Sequence, residues 1–214
     1  MNGICRVVFS ALALGFLPQT VLSQGTLYLS NLGEPSTSFI ISPFFEGVAD
    51  QSFETRSGGN GYLLNSVSLL MGDIYGSASN LNVSIYSDNS GQAGSSVGNL
   101  IGNNDPKTAG QYIYTASGII LNPSTTYWIV TTCDQVVTEN FPNPPIIGGY
   151  TWQSTASTTY LSEDGWNIAS SSIPIFGFSY LFQFSINATP IPEPAFFYIL
   201  AISWALLCLR RANR

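Results

Sequence analysis

The chain has 214 residues, of which only 8% are charged, and its formal net charge is −6 with no histidine. Binding to nucleic-acid phosphates requires clustered lysine and arginine, so this composition argues against a nucleic-acid partner. The absence of histidine removes the usual base of a Ser-His-Asp or Cys-His enzyme, and the sequence has neither zinc-ligand spacing nor a Gly-rich phosphate loop. We therefore expect no cofactor and no metal.

Residues 1–23 have the order of parts of a secretory signal peptide. Arg6 is the only charge before an apolar run over residues 7–17. Val21-Leu22-Ser23 then places small or β-branched residues at the positions that signal peptidase reads. We predict that the protein is exported, that signal peptidase is a partner, and that the mature chain begins at Gln24.

Residues 24–189 have the length of one domain with a sizeable core. They contain two basic and eleven acidic residues, so solubility depends mainly on serine, threonine, asparagine, glutamine and glycine. Apolar residues occur in short segments separated by glycine, serine and asparagine, without a sustained helical period. This pattern predicts an all-β domain.

Two kinds of strand are predicted. Residues 81–86 and 182–187 alternate apolar and polar side chains, which indicates strands with one buried face and one face toward water. Residues 67–71 and 127–130 are mainly apolar on both faces, so we place them at the centre of a sheet. The spacing of the turns predicts eight or more strands in a jelly-roll-like antiparallel β-sandwich. These turns lie at residues 58–61, 88–91, 103–106 and 122–124.

Cys133 is the only cysteine of the predicted domain, because Cys5 lies in the signal peptide and Cys208 in the tail. No internal disulfide is therefore possible. Without a histidine to activate it, the thiol fits a buried core cysteine better than a nucleophile.

Aromatic residues crowd the second half of the domain and suggest a carbohydrate-binding face. Tyr150 and Trp152 would share one face of an extended segment, and Trp166 follows in the sequence. Exposed rings stack on sugars while neighbouring amides bind the sugar hydroxyls. A sandwich without disulfides also needs large core residues, and for any single ring we favour a place in the core.

Acidic residues suggest two further alternatives. Residues 88–91, Asp-Asn-Ser-Gly, resemble the start of a calcium loop with Asp73 and Asp105 as additional ligands, but the same sequence is ordinary hairpin chemistry. Glu163 lies in a natural turn, and a carboxylate-dependent hydrolase would have to pair it with a distant acid such as Glu139. We favour the turn in both cases and predict that the protein is not an enzyme.

Residues 190–214 carry a predicted sorting signal. Pro192-Glu193-Pro194 is held extended by its prolines and stays open to a processing enzyme. The apolar run over residues 195–209 predicts a transmembrane helix, although it is shorter than the ~20 residues that span a bilayer comfortably. Basic residues after such a run should stay on the cytoplasmic side by the positive-inside rule. Three follow it here: Arg210, Arg211 and Arg214.

In its order of parts this tail resembles the PEP-CTERM sorting signal of bacteria that make exopolysaccharide. The resemblance is carried by Pro192, Glu193 and Pro194, by the apolar run and by the arginines that follow it. It implies cleavage near the motif by an exosortase-type membrane protease, with release or re-anchoring of the ectodomain at the cell surface. The implied partners are that protease and the inner membrane during transit, and exopolysaccharide is a further candidate.

The domain is similar to the choice-of-anchor R domain between residues 49 and 166. That family comprises bacterial surface or extracellular proteins with varied C-terminal anchoring signals, and it brings no catalytic residues. The similarity is carried by the segments 52–55, 61–70, 81–94, 116–121 and 125–130.

These features predict a non-enzymatic bacterial protein with a structural or adhesive role. We expect transient membrane anchoring through the tail helix and then a location at the cell surface or in the extracellular matrix. A carbohydrate-binding module for exopolysaccharide is the first alternative. A carboxylate-dependent secreted hydrolase is the second.

Overall fold

The computed structural model describes residues 25–36, 48–74, 78–135, 149–169 and 181–193. Every regular element within these ranges is a β-strand, as the sequence predicts. None of these residues belongs to a helix with the length and apolar character of a membrane span. The predicted signal peptide and the predicted tail helix lie outside the described residues.

Thirteen strands are present in the described ranges. They are β1 (Thr26–Ser30), β2 (Val48–Glu54), β3 (Tyr62–Met71), β4 (Ala78–Asp88), β5 (Ala93–Asn99), β6 (Gly110–Thr115), β7 (Ile120–Leu121), β8 (Thr126–Gln135), β9 (Ser154–Thr155), β10 (Leu161–Ser162), β11 (Asn167–Ile168), β12 (Leu181–Phe182) and β13 (Phe184–Pro190). The first sheet has the order β10-β1-β13-β3-β6, with β7 also paired to β3. The second sheet has the order β11-β2-β8-β4-β5, and β12 pairs with β9. All of the strand pairs are antiparallel.

One hydrophobic core is shared by the inner faces of the two large sheets. The first sheet contributes Leu29, Leu69 and Phe184, and the second contributes Phe53 and Ile129, all fully buried. Successive residues of a strand point to opposite faces, so apolar residues at alternate positions fill the layer between the sheets. Burial of these side chains is the dominant favourable term in folding.

The central position of β8 is confirmed, whereas the predicted alternation of β4 is confirmed only in part. Leu81, Val83 and Ile85 are buried in the shared core and Asn82 is exposed, but Ser84, which the pattern places on the face toward water, is buried. Its hydroxyl donates to Oδ1 of Asn99, which ends the neighbouring strand β5, at 2.9 Å. Residues 127–130 are buried on both faces, and β8 lies between β2 and β4. The other predicted central strand, β3, is likewise interior, with β13 on one side and β6 on the other.

The prediction that residues 182–187 turn one face toward water is wrong for most of that segment. Gln183 and Ser185, which were expected on the wet face, are both buried. The Gln183 side chain accepts a hydrogen bond from the Ser36 hydroxyl at 2.6 Å and donates one to the Glu34 carbonyl at 2.7 Å. The chain that follows β1 therefore covers the Gln183 end of this face, which the local sequence pattern cannot reveal.

Asn31 extends the hydrogen bonding of β1 beyond the last residue of that strand. Its buried side chain accepts from the Phe184 amide at 2.7 Å and donates to the Phe182 carbonyl at 2.8 Å. From the second sheet, the Gln51 side chain accepts from the Phe182 amide at 3.0 Å. Side-chain amides thus satisfy buried backbone groups where the strand pairing is interrupted.

The predicted turn at residues 88–91 is confirmed as the hairpin between β4 and β5. Ser90 and Gly91 have φ values of 57° and 86°, and a type I′ turn requires positive φ at both central positions. The Asn89 amide donates to the Gln92 carbonyl at 2.8 Å, which closes the turn.

We predict that Ile129→Ala lowers the free energy of unfolding by about 2–5 kcal/mol, because it removes a buried side chain and leaves a cavity. The matched control Ile120→Ala removes the same atoms from a side chain that is 53% exposed. For the control we expect a change of about 0.5 kcal/mol or less. Urea denaturation followed by tryptophan fluorescence measures both values, and equal losses in the two variants would contradict the packing described above.

Candidate functional site

A groove of about 820 Å³ lies on the outer face of the first sheet. Its lining comes from β1, β3, β6 and β13 and from the chain that follows β1 and β6. Each of the described lining residues is uncharged, and the side chains are aliphatic, hydroxyl or amide groups. The volume falls within the range of sites that hold small ligands.

Two β-bulges shape this groove. The register between β1 and β13 shifts between Leu27 and Leu29, so Tyr28 is an extra residue and is buried in the core. The register between β13 and β3 also shifts, which makes Asn65 an extra residue, and both Asn65 and Ser66 line the groove. A bulge bends its strand and increases the local twist, and we attribute the concave shape of this face to these bends.

A row of three serines crosses the middle of the groove. Ser30 pairs with Ser185, and Ser185 pairs with Ser68 on the next strand. Neighbouring strands lie about 4.8 Å apart, so the three residues are evenly spaced across the sheet. Ser68 and Ser185 are only 3% and 5% exposed, and within the described part of the chain their hydroxyls have no hydrogen-bond partner. A ligand in the groove can satisfy these groups.

Amide side chains lie beside the serine row. Asn187 donates from Nδ2 to the Ser66 hydroxyl at 3.4 Å, and the Thr189 hydroxyl donates to Oδ1 of Asn65 at 2.9 Å. These contacts orient two amides at the end of the groove where the bulges lie. Gln111 on β6 adds an exposed amide at the opposite end.

Exposed aliphatic side chains concentrate on the same face. Eight large hydrophobic residues are exposed in the described ranges, and register places five of them on this side of the first sheet. Two of the five end the serine row, because Leu161 pairs with Ser30 and Ile113 pairs with Ser68. The full set is Leu27, Leu63, Ile113, Ile120 and Leu161.

The aromatic residues of the predicted carbohydrate face are core residues. Tyr150, Trp152 and Trp166 are all buried, so they present no ring surface to a sugar. Trp152 stacks on Phe182 with ring centroids 4.6 Å apart, whereas Trp166 stacks on Tyr28 at 5.0 Å. The preference for a core role is confirmed, and the structure does not assemble these three rings into a surface platform.

The acidic residues considered for calcium are engaged separately. Asp88 accepts from Nε1 of Trp128 at 2.8 Å, and Asp105 accepts from the Tyr150 hydroxyl at 2.7 Å. Asp73 accepts from the Ala109 amide at 3.2 Å. Among the described residues, no three acidic or sulfur ligands come together as a metal site.

The remaining predicted acids are also exposed or outside the described ranges. Glu163 lies in a turn in which Asp164 has a φ of 57° and forms an ion pair with Arg56 at 3.0 Å. Glu139, the suggested partner of Glu163 in a hydrolase, lies outside the described residues. Of the sorting motif, Pro192 and Glu193 are exposed, while Pro194, Arg210, Arg211 and Arg214 lie outside the described part of the chain.

Two buried tyrosines, the Asp105 carboxyl and the Cys133 thiol have shifted pKa values. Burial raises the pKa of Tyr114 to about 12. Burial, helped by the nearby Asp105 carboxylate, also raises the pKa of Tyr150. The Lys107 ammonium and then the Tyr150 hydroxyl lower the pKa of Asp105. Cys133 is half-buried against the core, and this burial raises the pKa of its thiol.

The groove is indicated in the sequence by alternating polar residues, not by the aromatic residues. Polar residues alternate with core residues along β13, at Ser185, Asn187 and Thr189, and they continue along β3 at Ser66 and Ser68. That alternation predicts a polar face. It cannot show that the polar faces of β3 and β13 are adjacent, because the pairing register joins segments that are distant in sequence.

Comparisons of the chain with protein-family models, with curated proteins and with solved structures found no match. The resemblances noted in the sequence stay predictions.

We predict that stability falls as the pH rises from about 10 to about 12, because unfolded tyrosine ionises near 10 while Tyr114 holds its proton. The Tyr114 hydroxyl, which donates to the Asn103 carbonyl at 3.0 Å, is buried in neutral form. Tyr114→Phe should cost about 1 kcal/mol at neutral pH and reduce the alkaline loss. The double variant Tyr114→Phe/Tyr150→Phe should lose still less stability at alkaline pH. Urea titrations at several pH values measure the free energy of unfolding of each variant. If both variants lose stability with pH as steeply as the wild type, the prediction is wrong.

We predict that Cys133 reacts with a maleimide at least about tenfold more slowly in the folded than in the denatured protein, because burial limits both access and thiolate formation. The measurement uses a Cys5→Ser/Cys208→Ser background, in which Cys133 is the only thiol. Labelling is followed by mass spectrometry with and without urea. Equal rates in the two conditions would mean that the thiol is exposed.

Proposed function

We propose that the chain is a non-enzymatic protein of the bacterial surface or extracellular matrix with a structural or adhesive role. In this proposal residues 1–23 direct export, residues 24–189 form the functional domain, and residues 190–214 form a PEP-CTERM-like signal that an exosortase-type protease cleaves. The observation that carries the proposal is the position of the chain after β13, where the first residues of the predicted sorting motif lie exposed at the surface of the domain.

The last described strand is an interior strand, and the predicted sorting motif follows it directly. β13 pairs with β1 on one side and with β3 on the other, and it ends at Pro190. The Ile191 amide then donates to the Gly61 carbonyl, and the Asn60 side chain donates to the Pro192 carbonyl, each at 2.9 Å. Pro192, which belongs to this contact, and Glu193, which follows it, are both exposed. In this proposal the protease reaches the exposed residues Pro192 and Glu193 without unfolding the domain, and any force on the tail acts on a strand that is hydrogen-bonded on both sides.

The described N-terminal residues lie at the same end of the first sheet. Thr26 pairs with Ala188, so the start of β1 is adjacent to the end of β13. Gly25 has a φ of 66°, and a Cβ there would collide with Asn65, so the close approach favours glycine. In the proposed precursor, both membrane-directed segments would leave the domain at one end, and the opposite end would point away from the membrane.

The strand order favours the jelly-roll form of the sandwich. Eight strands, β1 to β6 with β8 and β13, divide into two sets of four with the orders β1-β13-β3-β6 and β2-β8-β4-β5. Eight strands in two sheets are the pattern of a jelly roll. Because such folds host many activities, this likeness alone supports no particular chemistry.

A carbohydrate-binding role is the second candidate, and one observation favours it. The outer face of the first sheet has an uncharged groove of hydroxyl, amide and aliphatic groups. The buried aromatic rings no longer support this role.

We predict that Glu193→Ala leaves the tail helix inserted but blocks cleavage, so that full-length chain accumulates in the membrane. Changing Arg210, Arg211 and Arg214 together to Ser should instead impair retention and processing, because a short span depends on its cytoplasmic charges. An immunoblot of a C-terminal tag in membrane and medium fractions measures both effects in a host that has the sorting protease. Mass spectrometry of the mature wild-type protein should find Gln24 at the N-terminus.

The matched control is Glu163→Ala, which removes an exposed glutamate within the domain and should leave processing unchanged. If the wild-type tag remains attached to surface-displayed protein at steady state, the tail is an ordinary anchor and the sorting proposal is wrong.

A further inference from the structure

We infer that the groove on the outer face of the first sheet binds a neutral glycan, with the serine row as its hydrogen-bonding floor and the aliphatic residues as its walls. This inference rests on the proposed function only for the location, the cell surface or extracellular matrix, at which the protein encounters the glycan. The site itself follows from geometry, burial and the absence of charge among the described lining residues.

The charge of the groove selects against an ionic ligand. None of the described lining residues is acidic or basic, and the chain as a whole carries twelve acidic and six basic residues. An anionic polysaccharide would find no counter-charge among these residues and would be repelled by the net charge. A neutral ligand meets neither penalty.

The polar groups of the groove match the hydrogen bonding of sugar hydroxyls. A serine hydroxyl both donates and accepts, and so does a side-chain amide through its separate atoms. Ser68 and Ser185 are nearly buried and lack partners within the described residues, while Asn187 is already oriented by Ser66. A ligand with many hydroxyls can use all of these groups, whereas an apolar ligand would leave them unsatisfied at a free-energy cost.

The aliphatic residues supply the second requirement of a sugar site. Leu27, Leu63 and Ile113 expose apolar surface beside the polar floor. The C–H face of a sugar ring can cover this surface while its hydroxyls turn toward the floor. Aliphatic contacts of this kind give less specific geometry than aromatic stacking, so we expect broad selectivity among neutral glycans.

The position of the groove argues against an added peptide strand. Peptides that extend a sheet bind through the free backbone groups of an edge strand. The floor here is formed by β3 and β13, which are paired on both sides, so their backbone groups are already used. The groove offers side-chain hydroxyls and amides instead, which suits a saccharide better than a polypeptide.

The test measures binding of the full-length protein, kept in a polyoxyethylene detergent, to soluble glucan, galactan and mannan, with alginate as an anionic comparison. We expect isothermal titration to detect binding of at least one neutral glycan and none of alginate. The double variant Ser68→Val/Ser185→Val should bind about tenfold more weakly, because two hydrogen bonds are lost. Ile113→Ser, which changes a side chain that is 58% exposed, should bind about threefold more weakly.

The matched control is Val97→Ser, which removes a 41% exposed aliphatic side chain from the edge strand β5 of the second sheet. It should bind like the wild type. Thermal unfolding checks each variant, and if the double serine variant does not fold, Ile113→Ser against Val97→Ser decides the question.

Three results would overturn the inference. The first is that none of the neutral glycans binds. The second is that the folded groove variants bind as tightly as the wild type. The third is that the wild type forms a dimer that Ile113→Ser dissociates, because a second copy of the chain would then cover this face. The outcome is independent of the tail experiment, because binding by the purified protein does not require cleavage, and correct processing does not require binding.

Discussion

The two-sided hydrogen bonding of β13 is the constraint on which the rest of the structure depends. Without this strand, β1 and β3 would have no common partner and the first sheet would divide into two pieces. Its inward side chains, including Phe184 and Ile186, are fully buried in the core. Its outward side chains, Ser185, Asn187 and Thr189, line the groove. One strand therefore connects the stability of the core to the shape of the binding face and to the base of the tail.

Buried amides hold the beginning of this strand in place. Asn31, Gln51 and Gln183 come from three distant segments, and each bonds to backbone atoms around residues 182–184 or to the chain after β1. A buried amide costs free energy unless it is hydrogen-bonded. Here Asn31 and Gln51 satisfy backbone groups at the break between β12 and β13, while the Gln183 side chain bonds to the chain after β1. The polar network therefore stabilises the interruption between the two strands.

Local patterns in the sequence predict much of the fold and little of the candidate site. Two-sided apolarity in β8 and the turn chemistry at residues 88–91 each depend on neighbouring residues, and both predictions are confirmed. The apolar face of β4 is confirmed as well, although Ser84 on its other face is buried. The burial of Gln183 depends on the chain after β1, and the serine row depends on the register of three strands. The sequence also does not determine whether Trp152 is buried or exposed, because a large aromatic ring suits both a hydrophobic core and a sugar-binding surface.

The pairing of the first described strand with the last one also determines when the domain can become stable. Contacts between distant parts of a chain can form only when the intervening loop closes, and loop closure costs conformational entropy. Topologies with many such contacts therefore fold slowly. A chain that is still being synthesised lacks β13, so β1 and β3 each keep one unpaired edge until β13, the last described strand, is complete. Any truncation that removes β13 would leave those edges permanently unpaired and prone to aggregation, whereas a cut beyond Glu193 would leave every described strand pair intact.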